Sequence, residues 1–259
     1  MTQENIKKIA LLIDGKEKVD YGNSFLSFGV PFANGELADE NNVRLVNDTG
    51  DSFPIQAKVL AYWSNEEKYI KWLLVDTCLD GDSIGAENYF LEYGQDIKST
   101  KPEEKITIFD DGESYTINTG TMKFTIQHTF KPWNQPSYPD YFKSCLLKSG
   151  NGWQEVLQSN PGLYLYMKDQ RGNIYDSYSG GPEQSDFEVD TLFGQIDSGG
   201  DYGVQGRTVQ IEEKGPLRAT VCIKSHHSQA KGPLFCPYIL RLHFFAGASD
   251  IKIAHTFIF

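Results

Sequence analysis

Short runs of β-branched, aromatic and aliphatic residues, each closed by a tight-turn signal, set the strongest limit on what this chain can fold into. The signals are Asp14-Gly15, Asn47-Asp48-Thr49-Gly50, Asp80-Gly81, Asp111-Gly112 and Arg171-Gly172-Asn173. Gly, Asn and Asp there supply the backbone conformations that hairpins need. Between them strands are expected over residues 9–13, 43–46, 55–62, 69–78, 105–109, 114–118, 122–129, 163–167, 208–212, 217–224, 238–245 and 251–259. In 122–129, Met122, Phe124, Ile126 and His128 alternate with Lys123, Thr125, Gln127 and Thr129, the period of a half-buried strand. No segment of helical length keeps a helical period between two caps; at most one helical turn is expected, over 88–93. With 16 Phe and 14 Tyr among 259 residues there is enough bulky apolar side chain to build a core, which excludes a disordered chain. The fold class that follows is all-β.

The polar stretch Lys98-Ser99-Thr100-Lys101-Pro102-Glu103-Glu104 is the best candidate boundary. It leaves a barrel-sized domain over 1–97 and a sandwich-like run of strands over 105–259. A net charge of −11 argues against nucleic acid and anionic membranes as partners. The acidity is uneven. From Gly203 onward the bases Arg207, Lys214, Arg218, Lys224, Lys231, Arg241 and Lys252 face only Glu212, Glu213 and Asp250. His226, His227, His243 and His255 fall in the same stretch. A chance imbalance on a solvated face explains this as well as a basic site does. Cys78, Cys145, Cys222 and Cys236 show no metal-ligand spacing and are expected as reduced, mostly buried thiols, although Cys222 and Cys236 could neighbour each other across a hairpin. The apolar stretch 9–13 is too short for a secretory leader, so the expected compartment is the cytoplasm, or outside the cell if a leader is missing. The last strand, with Ile251, Ile253, His255, Phe257 and Phe259 on one face, is expected to continue into further sequence.

Four segments taken in order carry a resemblance. They are Phe25-Leu26-Ser27-Phe28-Gly29-Val30-Pro31-Phe32, where Gly-Val-Pro is expected to turn the chain sharply; Gly35-Glu36-Leu37; 54–63; and Ile70-Lys71-Trp72-Leu73-Leu74-Val75-Asp76. Together they resemble the N-terminal RIFT barrel of exo-rhamnogalacturonan lyase-like proteins. Gly215-Pro216-Leu217-Arg218-Ala219-Thr220-Val221, Phe244-Phe245-Ala246-Gly247 and His255-Thr256-Phe257-Ile258-Phe259 are similar to the start of that family's central β-sandwich. The loop Ser64-Asn65-Glu66-Glu67-Lys68-Tyr69 is longer than the family's usual Asp-Gly-Ser-type turn at this point. The resemblance implies a RIFT-type barrel followed by an incomplete sandwich, with a helical catalytic domain beyond Phe259. It further implies a parent enzyme that cleaves uronate-containing polysaccharide by β-elimination. The family's catalytic residues cannot be carried onto particular positions of this chain.

Elimination beside a uronate carboxylate needs a cation, a base and an acid. His226 and His227, expected at the end of strand 217–224, with Arg218, are the low-ranking catalytic candidates; inert surface histidines are the plainer account. For substrate contact, the Pro-broken segment Lys131-Pro132-Trp133-Asn134-Gln135-Pro136-Ser137-Tyr138-Pro139-Asp140-Tyr141-Phe142 offers Trp133, Tyr138 and Tyr141, and the separate basic stretch offers Arg241. A loop burying its own aromatics over a sheet edge is the competing reading. Trp63 and Trp72 have faces fit to stack on sugars, but Trp72 lies in a run bound for the core. His255, on an apolar face, is expected as a buried core histidine. Asp48, Asp51, Asp76, Asp80 and Asp82 read as turn acids, with no calcium-loop pattern. Asn47-Asp48-Thr49 matches a glycosylation acceptor. No nucleotide, zinc-protease or nucleophile-elbow motif is present, and no metal or cofactor is called for. The expected partners are a polysaccharide or oligosaccharide and the missing helical domain. The rival is a non-catalytic carbohydrate-binding or scaffold module; a glycoside hydrolase accessory region is a third reading.

Overall fold

The structure, a computed structural model, describes residues 6–13, 23–66, 68–80, 88–103, 105–128, 142–157, 166–168, 174–176, 208–228 and 234–258. Among these there is no helix. The chain divides into two compact units: residues 1–105 together with Gly215–Arg218, and residues 106–214 together with 219–259.

The first unit contains β1 (Lys7–Leu11), β2 (Asn23–Pro31), β3 (Val43–Asn47), β4 (Ser52–Phe53), β5 (Ile55–Tyr62), β6 (Ile70–Asp80) and β7 (Tyr89–Tyr93). They form two antiparallel sheets, ordered β1-β7-β3-β4 and β2-β6-β5. Alternation sends Val30 and Phe32, Leu73, Val75 and Leu79, and Ile55 inward, where they meet Val43, Leu45, Tyr89 and Leu91. Phe32 packs edge-to-face on Tyr93, ring centroids 5.0 Å apart. Two expectations fail here for the same reason. Gly29-Val30-Pro31 is the extended end of β2, paired with Leu74, Leu73 and Trp72, and not a turn. The chain reverses later, at Gly35, whose φ of 84° suits glycine. Residues 88–93 form strand β7 and not a helical turn, because Tyr89, Leu91 and Tyr93 are buried between β1 and β3. Tertiary pairing overrides weak local signals in both places.

In the second unit β8 (Thr107–Asp110), β9 (Ser114–Asn118), β10 (Met122–Gln127), β11 (Phe142–Ser149) and β12 (Gly152–Glu155) make an antiparallel sheet ordered β12-β11-β10-β9-β8. The short pair β13 (Tyr166–Lys168) and β14 (Ile174–Asp176) follows. β15 (Thr208–Lys214), β16 (Arg218–Ser228), β17 (Leu234–Phe245) and β18 (Lys252–Phe257) form another sheet in that order. Ile117, Met122, Phe124 and Ile126 of the first sheet and Val221, Leu240, Leu242 and Phe244 of the last supply buried side chains, with Phe124 and Phe244 5.7 Å apart. The Asp111-Gly112 turn is as expected: Gly112 has φ 88°, and the Asp111 carboxylate accepts from the N–H groups of Glu113 and Ser114.

Thr119 ties this unit together. It is fully buried; its hydroxyl donates to Ala248 O at 2.7 Å and accepts from Met122 N–H at 3.0 Å. Its own carbonyl accepts from Gly247 N–H at 2.6 Å. Thr119→Val keeps the shape but leaves two buried backbone groups unpaired. It should cost about 1–3 kcal/mol in urea unfolding, with Thr119→Ser close to wild type. A valine variant as stable as wild type would show the hydroxyl to be dispensable.

Candidate functional site

Three residues stand in one row across the outer face of the β2-β6-β5 sheet. Ser27 pairs in register with Asp76, and Asp76 with Gln56. The inner face of β6 carries Leu73, Val75 and Leu79, so alternation sends Asp76 and its paired neighbours to the other face. The row holds the segment Gly215–Arg218. Gln56 Oε1 accepts from Leu217 N–H at 3.0 Å and Arg218 N–H at 2.9 Å, and its Nε2 donates to Arg218 O at 3.2 Å. The Arg218 guanidinium lies 3.2 Å from the Asp76 carboxylate and donates to Ser27 Oγ, which itself donates to Asp76. Only 3% of the Asp76 side chain and 11% of the Arg218 side chain are exposed. Asp76 is therefore no turn acid: it sits in mid-strand as counterion to a catalytic candidate. In this geometry Arg218 anchors backbone and is engaged with a carboxylate, which leaves little of it to neutralise a substrate.

Arg241 of β17 makes a bidentate pair with Glu212 of β15, at 2.6 and 2.8 Å. The hydrogen bonds from Arg241 hold the Glu212 carboxyl below its usual range, while Arg241 is pushed up by the same contact. The neighbouring Cys222 thiol is buried, and burial with the Glu212 charge raises its pKa. His243 Nδ1 lies 3.0 Å from the Thr220 hydroxyl. β16 runs past Lys224 to Ser228, so His226 and His227 lie within the strand and not beyond its end; their side chains fall outside the described residues, as does that of Cys236. Trp133, Tyr138 and Tyr141 also lie outside them. Cys145 and Cys222 are buried free thiols. Among the described residues no group of three His, Cys, Asp or Glu side chains is placed to share a metal ion.

The aromatic expectations change more. Trp72 is 42% exposed and Trp63 43%. Leu73 and Val75 take the inner face of β6, so Trp72 must point outward, where its ring lies against Gly29. Trp63 Nε1–H donates to Phe32 O at 2.9 Å, and the Lys71 ammonium sits 4.8 Å from its ring centre. His255 is not a core residue: β18 is exposed along its length. Its ring is crowded by Phe257 and Tyr238, at 4.0 and 5.5 Å, and this partial burial pushes its pKa down even though the side chain is open to solvent. Asn47, far from being a presented glycan acceptor, is 4% exposed and bonded to Thr49 and Asp51 within its own turn.

One further charged cluster went unread in the sequence. Glu92, 4% exposed, lies 2.6 Å from both the Lys8 ammonium and the Arg44 guanidinium, beside a cavity of about 350 Å³ also lined by Asn47, Thr49 and Phe90. Burial raises its pKa, but the two cations outweigh burial and hold the carboxyl below its usual range.

Comparison with known proteins places these units. Residues 12–75 match the model of the PcRGLX-like N-terminal RIFT barrel domain, and residues 199–259 that of the PcRGLX-like central β-sandwich domain. The uncharacterized protein YetA of Bacillus subtilis (strain 168) is 23% identical over 258 residues, covering 97% of this chain and 24% of the relative. The chain thus spans about a quarter of the length of that curated relative. Both domain types are matched in their order along an all-β chain, which carries a RIFT-type barrel followed by a β-sandwich, similar to those of PcRGLX-like proteins.

Proposed function

We propose that the chain is the non-catalytic N-terminal β region of a polysaccharide lyase of the rhamnogalacturonan lyase type. The parent polypeptide would cleave uronate-containing polysaccharide by β-elimination, with its reacting groups on a helical domain contributed by further sequence. The observation that carries this reading is the ordered match of both β domains to the lyase-like family. The engagement of Arg218 by Asp76 and of Arg241 by Glu212 supports it, since two of the cations best suited to a uronate are already neutralised within the fold. A second reading, a carbohydrate-binding module without catalysis, is favoured by the exposed indoles of Trp72 and Trp153. Elimination creates an unsaturated uronate that absorbs in the ultraviolet, so the two readings separate in one assay. The lyase reading expects turnover of rhamnogalacturonan when the natural downstream reading frame is appended, and none without it. Absence of turnover from the extended polypeptide, with intact folding, favours the binding module.

A further inference from the structure

The β12-β11-β10-β9-β8 sheet has one apolar and one polar face. Ile108, Ile117, Phe124 and Cys145 line up in register on the inner side. On the other side registration sets Thr107, Asn118, Lys123, Leu146 and Glu155 in one row, and Phe109, Thr116, Thr125 and Ser144 in the next. Trp153 of β12, opposite Lys148, extends this face and is 38% exposed. Lys123 reaches across β11 to place its ammonium 4.3 Å from the Trp153 ring centre. Alongside, the hydroxyls of Thr116 and Thr125 stand 3.1 Å apart. The acid of the row, Glu155, accepts hydrogen bonds from Ser144 Oγ and from the N–H groups of Cys145 (2.8 Å) and Leu157 (3.0 Å), so its charge is bound into the sheet edge.

A pyranose uronate presents an apolar C–H face, a ring of hydroxyls and one carboxylate. An indole surface, neighbouring hydroxyl and amide side chains, and a mobile ammonium on an otherwise acidic chain of net charge −11 are the complement of those three features. A lysine over an indole is by itself a common surface contact, worth roughly 0.5–1 kcal/mol. What separates this pair from the Lys71–Trp63 contact is its setting: Trp63 has its N–H committed to Phe32 O, whereas Trp153 stands on the same sheet face as Thr116, Asn118 and Thr125.

We propose that this polar face is a binding subsite for an acidic oligosaccharide. The sugar ring takes the place of the Lys123 ammonium over Trp153, and the ammonium moves to the uronate carboxylate. Thr116, Asn118 and Thr125 meet the sugar hydroxyls. The inference rests on the uronate-polysaccharide reading above, and adds to it a site on described residues that sequence reasoning did not single out.

The test is a titration of the whole chain with an oligogalacturonate trimer and with its carboxyl-reduced counterpart, followed by tryptophan fluorescence and by amide NMR shifts. The wild-type chain should bind the acidic trimer, with shifts concentrated on β9 to β12. Trp153→Ala should weaken that binding by about tenfold. Lys123→Gln should weaken it by about threefold and remove the preference over the reduced trimer. Leu60→Ala, at an exposed position of β5 in the other unit, should bind as wild type. Unchanged amide spectra elsewhere establish that each variant is folded. No binding by the wild-type chain overturns the subsite, while turnover by the extended polypeptide remains a separate result. Binding that survives Trp153→Ala undiminished, or equal binding of the neutral trimer, overturns the subsite and leaves the lyase reading standing.

Discussion

Asp76→Ala is expected to destabilise the chain by roughly 3–5 kcal/mol in urea unfolding, because it strips the counterion from a guanidinium taken almost entirely out of water. The Arg218 side chain is 11% exposed, and Gln56 holds the Arg218 backbone through both its N–H and its C=O. A buried pair and its apolar replacement often differ little, whereas half a pair is costly. The double variant Asp76→Leu/Arg218→Met should therefore recover most of the loss, and the coupling between the two sites should be large and favourable. A loss below about 1 kcal/mol for Asp76→Ala would place the pair among solvent-screened surface contacts. It would also return Arg218 to the pool of cations available for chemistry.

Gly215→Ala is the second large effect. The glycine's backbone is one that any residue can adopt; space decides here. A Cβ at 215 would stand 2.1 Å from the Gln56 side-chain carbon and Oε1 and 2.2 Å from Nε2. The amide lies at the end of a flexible side chain and can swing away, so the clash itself is cheap. The consequence is not. Displacing Gln56 leaves the buried Leu217 N–H and the Arg218 N–H without their acceptor, at about 1–3 kcal/mol for each group left unsatisfied, while the Arg218 C=O still accepts from the backbone N–H of residue 215. If the cost acts through Gln56, then Gly215→Ala should add little on a Gln56→Ala background. An equal cost on both backgrounds would show that the methyl group disturbs something else.

These two residues illustrate what the sequence could and could not reveal. Period-two alternation in 122–127 and the Asp111-Gly112 turn were legible because they are local: neighbours within a few residues determine them. Gln56 and Asp76 were not. Both find their partner at Arg218, far along the chain and 162 residues from Gln56, and nothing near Gln56 in the sequence marks it as the residue that holds a distant backbone. Trp72 is exposed although Lys71-Trp72-Leu73-Leu74-Val75 reads as one apolar run, because strand geometry can bury only alternate positions of it. His255 sits in a true apolar alternation, opposite Leu240 of β17, yet β18 is exposed on both faces. A pattern reports which residues share a face, and not whether another layer covers that face. The family resemblance, by contrast, was readable from short motifs because glycine, proline and tryptophan at fixed offsets are rare combinations.

Elimination is the property on which the account depends most. The purified chain, residues 1 to 259, incubated with rhamnogalacturonan and followed by the ultraviolet absorbance of the unsaturated uronate, should give a flat trace. The same chain extended by its natural downstream sequence should give a rising one. A rising trace from the chain alone would contradict the account, because it would place base, acid and carboxylate-neutralising cation within these two β units.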